Sequence, residues 1–460
     1  MGIKVCDALC GSGKTSACIR MMNENKDKKY VFVTQFLSEV DRIIRSCKER
    51  NFVSPISDVC NRRKTKLSDL QKLLYGGQNI ATTHALFVNC TDEIKDYIRQ
   101  NKYVLVLDET VDIMRMSELK NCDIDLLEDV GVIEDRDGFI HWTYPGYEAM
   151  NANGKGLFSE EMYLAKSRNL LTYDGQVYFW SLPPELFECF DEVYVLTYLF
   201  NAQLLRCFFD LYKLPYELIG VKPDGDSYIF CDANDMDRTR ELRDKIHILD
   251  HKKLNAIGGK RYDLSYSHLM LGDDQRKAAV REQLRKNLGN LFRNIYHAPC
   301  SQIMWTTFKE CKHSVEGKGY TSGFVPYSKR ASNEFSGRHY LAYCVNNFLR
   351  PWEANYYKEH GVEMDNDAYG LSFLIQWVFR SAIRNGEEIW VYIPSVRMRN
   401  LFTQWLDNLA EGKDLEPVCY QVRRKKYCEK RKDDSDTPYS KRRKMPEQIK
   451  KEKEDGQQKM

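Results

Sequence analysis

Ala8, Leu9, Cys10, Gly11, Ser12, Gly13, Lys14 and Thr15 follow a strand-like run at residues 3–7 and open a helical pattern at Lys14. No other stretch of the chain restricts its fold as much. A strand must end where the loop begins, and a helix must begin where it ends. Gly11 and Gly13 let the backbone between them turn its N–H groups toward an anion. The helix N-terminus adds a favourable dipole. The pattern therefore predicts a phosphate cradle built from Ala8, Gly11, Ser12, Gly13, Lys14, Thr15 and Ser16. Lys14 has the reach for β- and γ-phosphates, and the Thr15 hydroxyl is suited to Mg²⁺. The first position is Ala8 where the usual pattern has Gly.

A β–loop–α unit needs parallel neighbours, and the next two hundred residues supply them. Apolar runs at 30–34, 79–83, 103–107 and 191–197 alternate with helical stretches, the first of these at about 36–48. That alternation predicts a parallel sheet with helices on both faces. Residues 113–183, rich in Gly, Asp and Tyr and weakly periodic, read as an insertion of helical turns and a hairpin. A second α/β unit is expected from residue 211, with strands at 227–231, 303–307 and 388–393. Its expected helices are 274–295, 367–384 and 396–409. The expected division is 1–210, 211–412 and a tail, 413–460.

Composition agrees with two packed units. The chain has 460 residues, 43% hydrophobic and 12% aromatic, enough for two cores. The net charge of +3 hides an asymmetry: residues 421–460 hold 15 Lys and Arg against 8 Asp and Glu, a net of +7 that leaves the body at −4. Basic clusters at 423–426, 430–432 and 441–444 would attract phosphates without base readout, or serve as a nuclear address. The tail reads as disordered. The 15 cysteines include no Cys-x-x-Cys pair, which points to reduced thiols rather than disulfides or zinc. The expected setting is the cytoplasm, with no leader segment and no membrane span.

Asp108 and Glu109 end the most apolar run in the chain. At the carboxyl edge of a parallel sheet such a pair has a use. Asp108 would hold Mg²⁺, and Glu109 would orient and deprotonate an attacking water. Downstream, Gln376, Arg380 and Arg384 recur every four residues, the spacing of one helix face. That face could present two guanidiniums to a γ-phosphate across a cleft. Trp377 and Phe379 flank it.

Residues 8–15 and the Asp-Glu-Thr-Val box at 108–111 resemble motifs I and II of the DEAD/DEAH-like superfamily-two helicases. Residues 33–36 with Glu39 and Arg42 are similar to motif Ia, 82–85 to motif Ib, and 196–200 to motif III. Residues 304–308 stand where motif IV would lie and 332–338 where motif V would lie. Residues 376–384 resemble motif VI, with Phe379 for the usual Gly and the last Arg one residue late. The spare build and the Gln-Trp, Arg-Ser, Ile-Pro-Ser ending look like helicases of phages or mobile elements.

The resemblance implies two tandem RecA-like domains with ATP and Mg²⁺ between them. It implies a catalytic set of Lys14, Glu109 and Gln376, with Arg380 or Arg384 as the arginine finger. It implies nucleic-acid contacts at Gln35, Thr82, Thr83, Ser332, Asn333 and Arg338, with DNA favoured over RNA, and replication or recombination proteins as partners. The adenine would be held loosely, since motif I stands so early in the chain. Two other readings stand beside it: an ATPase that remodels complexes without unwinding, whose sequence would look the same, and a P-loop kinase or ATPase unrelated to nucleic acid, which would lack the arginine helix across the cleft.

Overall fold

The computed structural model describes residues 2–57, 65–144, 146, 156–232, 237–270, 274–328 and 333–413. The tail expected to be disordered lies outside the described residues, apart from Lys413.

The strands, in chain order, are β1 (Gly2–Asp7), β2 (Lys29–Thr34), β3 (Ile80–Thr83), β4 (Tyr103–Asp108), β5 (Met114–Met116), β6 (Ile133–Arg136), β7 (Phe139–Trp142) and β8 (Leu170–Tyr173). They continue with β9 (Val177–Ser181), β10 (Glu192–Thr197), β11 (Tyr216–Asp224), β12 (Ser227–Cys231), β13 (Ile246–Ile248), β14 (Ile303–Thr306), β15 (Tyr340–Tyr343) and β16 (Ile389–Tyr392).

Seven of them form one sheet in the order β12-β11-β1-β10-β4-β2-β3, parallel except for the β11–β12 hairpin. Its central strands are apolar throughout because both faces are covered. Val5, Val33, Leu105, Leu107 and Val195 point into one core. Cys6, Phe32, Val104, Val106 and Leu196 point into the other, against Ala17, Cys18 and Met22 of the helix Lys14–Glu24. This is the period-two alternation of a strand with two buried faces. Each such Val or Leu contributes about 1.5–3 kcal/mol of burial.

Four parallel strands in the order β13-β16-β15-β14 form a second sheet. The fold is thus α/β, with parallel sheets flanked by helices in both halves. Residues 351–364 return to the first half. In the helix Pro351–Glu359, Tyr356 and Tyr357 join its core, and Trp352 and Tyr356 pack on Phe179. Among the described residues no helix is long and apolar enough to cross a membrane.

Three sequence expectations change. Residues 227–231 pair with β11 as the edge of the first sheet, not within a second unit. Gly225, at φ 59°, allows a two-residue turn there, so the strand finds its partner locally. The segment 113–183 is more than a hairpin: β5 to β9 form a five-stranded antiparallel sheet in the order β5-β9-β8-β7-β6, with helices Asn121–Asp129 and Ser159–Lys166. Two Asp-Gly turns, at Asp137-Gly138 and Asp174-Gly175, all four at positive φ, are the local signal that marks its hairpins.

The third change concerns the arginines. The helix predicted over 367–384 is Asn366–Val378 and stops there. Ser381 is extended, its hydroxyl donates to Val378 O at 2.7 Å, and Ala382 N leaves the helix to donate to Arg338 O at 3.0 Å. A separate 3-10 turn, Ala382–Asn385, then carries Arg384. Gln376, Arg380 and Arg384 therefore do not share a helix face.

Candidate active site

The loop after β1 is pinned at both ends. Ala8 N donates to Thr197 O at 3.0 Å, and Ala17 N to Gly13 O at 2.9 Å, which starts the helix. Gly11 (φ 82°) and Gly13 (φ 94°) occupy the left-handed region that a side chain would strain. A Cβ at Gly13 would also run into the Tyr228 ring of β12. Lys14 is 8% exposed and its ammonium donates to Ala8 O at 2.6 Å and Leu9 O at 3.0 Å. The buried Ser12 hydroxyl has no hydrogen-bond partner among the described residues. Ser16 faces outward.

The sheet order brings the acids to this loop. β10 lies between β1 and β4, and the register aligns Asp7 with Thr197 and Leu196 with Asp108. Thr15 Oγ1 donates to Asp108 Oδ1 at 3.2 Å. Burial first, then Glu109 and Glu39, push the Asp108 carboxyl up to about 7, while Arg42 and Thr15 pull it down. Glu109 is held at φ 67°, its N–H donating to Leu196 O at 2.9 Å. A glutamate in the left-handed region is strained, and such strain gathers at functional sites. Glu109 Oε2 is buried without a hydrogen-bond partner among the described residues.

The end of β10 ties the loop to the second half. Gln203 Nε2 donates to Thr197 Oγ1 and to Tyr198 O, both at 2.8 Å. The buried Tyr198 hydroxyl accepts from Trp405 Nε1 at 2.9 Å, on the last helix, Val396–Ala410. Phe379, which stands where motif VI usually has Gly, packs edge-on against Trp405. Asp7 is also part of this edge: its carboxylate accepts from Phe200 N at 2.9 Å, and burial raises its pKa. Sequence reading missed Asp7, Tyr198 and Trp405. The acid just ahead of the loop was a usable signal for the first, and nothing local marked the other two.

Arg380 is 2% exposed and its Nη1 donates to Pro326 O at 3.2 Å, whereas Arg384 is exposed. The charges of Lys14, Arg384 and Arg380 all act on the Cys10 thiol, which burial pushes up to about 11. Both arginines are therefore within electrostatic reach of the glycine loop at residues 8–15. Gln376 is half-buried one turn back.

Gln35 is exposed beyond β2, with Thr82 buried and Thr83 half-buried at the end of β3, all at the edge that carries the loop. Asn333 opens a 3-10 turn and Arg338 precedes β15, at the N-terminal edge of the second sheet beside the Arg384 turn. Arg338 Nη1 donates to Cys300 O at 2.9 Å. Ser332 lies outside the described residues.

Residues 240–406 match the family profile described as the YonV C-terminal Rossmann-like domain. The SPbeta prophage-derived protein YonV of Bacillus subtilis (strain 168) is 38% identical over 411 residues, covering 88% of this chain and 99% of that protein. Among solved structures, Xpd4 of S. tokodaii superposes with a TM-score of 0.44 at 12% identity, over 90% of this chain and 94% of that one. A hypothetical ATP-dependent RNA helicase from Sulfolobus tokodaii superposes with a TM-score of 0.24 at 13% identity, over 85% and 86%.

Proposed function

We propose, from the premise that this chain belongs to the YonV family, that it is an ATP-driven helicase or translocase that works on nucleic acid in the cytoplasm. One observation carries the reading. Thr15, Asp108 and the strained Glu109, whose Oε2 has no hydrogen-bond partner among the described residues, converge beside a glycine-hinged loop within electrostatic reach of two arginines. Unpaired buried polar atoms are costly, about 1–3 kcal/mol each. Ser12 Oγ and Glu109 Oε2 are the groups a bound triphosphate and its attacking water would satisfy.

In this reading the loop N–H groups and Lys14 bind the β- and γ-phosphates. Lys14 exchanges the carbonyls of Ala8 and Leu9 for phosphate oxygens. Thr15 and Asp108 would hold Mg²⁺, which would supply positive charge beside the phosphate oxygens. Glu109 orients the water and takes its proton. Arg384 is the better placed finger, being exposed; Arg380 is buried and held to Pro326 O. Opening and closing between the halves would be read out through the Tyr198–Trp405 contact. We favour DNA over RNA, with replication or recombination proteins as partners, and assign the basic tail to salt-sensitive, non-specific attraction.

The test is ATP turnover with and without single-stranded DNA, duplex DNA and RNA at several salt concentrations, with strand displacement on a tailed duplex. Stimulated turnover with displacement supports a helicase. Stimulation without displacement leaves a translocase or remodelling ATPase. Hydrolysis indifferent to every nucleic acid would overturn the reading in favour of a small-molecule ATPase or kinase.

A further inference from the structure

In a parallel sheet all C-terminal strand ends fall at one edge. In the second sheet this edge lies opposite the one that carries Arg338 and the Arg384 turn. Across it runs the stretch 249–270, which leaves β13 and holds Lys252, Lys253, Lys260 and Arg261 against only Asp250 and Asp263. Tyr262 is 64% exposed and Tyr266 45%. Each rests on an aromatic ring from the end of a neighbouring strand. Tyr262 lies tilted over Phe348, after β15, with centroids 5.5 Å apart. Tyr266 stands edge-on to Phe308, after β14, at 5.4 Å.

The turn at 260–263 is braced by hydrogen bonds from buried side chains. Asn346 is fully buried and its Nδ2 donates to Arg261 O and Asp263 O, both at 2.8 Å. Its own Oδ1 accepts from Arg397 Nη1 at 2.8 Å. The Arg397 guanidinium in turn lies 4.0 Å from the Phe348 ring centroid and pairs with Asp367 Oδ1 at 2.6 Å. Arg261 reaches the same carboxylate at 3.0 Å. Lys260 N–H closes a turn onto Asp263 Oδ2 at 2.9 Å. Exposed Tyr262 thereby sits on a braced turn, with Lys260 and Arg261 next to it in the chain.

We propose that Tyr262 and Tyr266, with Lys260 at the start of the turn and the exposed Lys252 and Lys253 earlier in the same stretch, form a platform on which unpaired bases of a single-stranded nucleic acid stack. The chemistry is that of sequence-tolerant strand binding: aromatic faces take the bases and flexible cations take the phosphates. The proposal rests on the nucleic-acid reading above. It adds a foothold on the second sheet that motif comparison does not supply.

The test is equilibrium binding of the full chain to fluorescein-labelled dT20 and rU20 without nucleotide, followed by anisotropy. A 20-mer of abasic sites is the control. Tyr262→Ala with Tyr266→Ala should weaken dT20 or rU20 at least about tenfold, the range expected for lost base stacking, and leave the abasic strand within twofold. Tyr262→Phe with Tyr266→Phe keeps the rings and should bind within threefold of wild type. Lys260→Ala should lower the slope of log affinity against log salt by about 0.7.

Equal losses on the base-bearing and abasic strands would overturn stacking, as would a phenylalanine pair as weak as the alanine pair. Wild-type binding that the alanine pair leaves within twofold would overturn the platform alone. A wild type that binds neither oligonucleotide would overturn the platform together with the nucleic-acid reading. Because binding is read without ATP, absence of hydrolysis bears only on the motor.

Discussion

The glycine loop after β1 and the Arg397 network beside the second sheet treat buried polarity in opposite ways. At the edge of the first sheet, Ser12 Oγ and Glu109 Oε2 are buried with no hydrogen-bond partner among the described residues, and Glu109 sits on strained backbone. At the edge of the second sheet, Arg397 is 5% exposed and saturated: it donates to Asp367, Asn346, Asn347 O and Asn366 O. Gly370 packs so closely there that a Cβ would meet Asn347 O at 2.8 Å. An edge with orphaned polar atoms gives up stability and keeps binding capacity. A saturated network gives up capacity and gains a single geometry. The contrast teaches that the loop keeps polar atoms free of protein partners while the Arg397 network fixes one geometry. At the second edge Thr307 Oγ1 and the Tyr343 hydroxyl, buried without a hydrogen-bond partner among the described residues, lie outside that network.

That contrast can be broken experimentally, and the largest effects should come from the first edge. Lys14→Ala is expected to abolish ATP turnover and weaken nucleotide binding; phosphate release and nucleotide titration read both. Arg384→Ala should keep ATP binding and cut kcat by about 10³-fold, near 4 kcal/mol. Arg380→Ala, which removes a buried side chain, should instead show mainly as a lower Tm. Unimpaired turnover in both would take the arginines out of the site.

Next comes the second edge. Arg397→Ala should lose about 3 kcal/mol in urea unfolding, the low end for breaking a buried pair, because Asp367 retains Arg261. A loss below about 1 kcal/mol would mean that the network is not a stabilising unit. Glu109→Gln tests the opposite behaviour: turnover should fall about 10²-fold or more with no loss of Tm, since Oε2 has no partner to lose. A drop in Tm would make Glu109 a structural group. The smallest effect belongs to the link between the halves. Trp405→Phe removes one hydrogen bond to Tyr198 and should cost about 1 kcal/mol. If nucleotide affinity and stability are both unchanged, the contact does not couple the halves.

Much of the first edge was legible. The run at 103–107 is apolar at every position because both its faces are buried, so it could be placed as a central strand, with Asp108 and Glu109 at its end. Residues 8–15 could be read because glycine spacing and the Lys-Thr pair are local demands of one turn. The segment 113–183 was under-read because strands of three to five residues leave too few alternations to register. The 376–384 face failed for a different reason. Four-residue spacing is necessary for a shared helix face but does not say where the helix stops. Here a serine hydroxyl and a tertiary hydrogen bond to Arg338 O ended it.

By itself the sequence determined the glycine loop between β1 and the first helix, the acid pair, the parallel sheet they stand on and the α/β character of both halves. Those depend on side-chain periodicity and on backbone freedom at Gly11 and Gly13, which act within a few residues. Only the tertiary structure decided that β10 lies between β1 and β4, that Arg384 leaves the helix, that Trp405 reaches Tyr198 and that Asn346 braces Tyr262. Each of these joins residues far apart in the chain, and such pairings are chosen by which surfaces can be buried together, not by any signal a short stretch of chain carries.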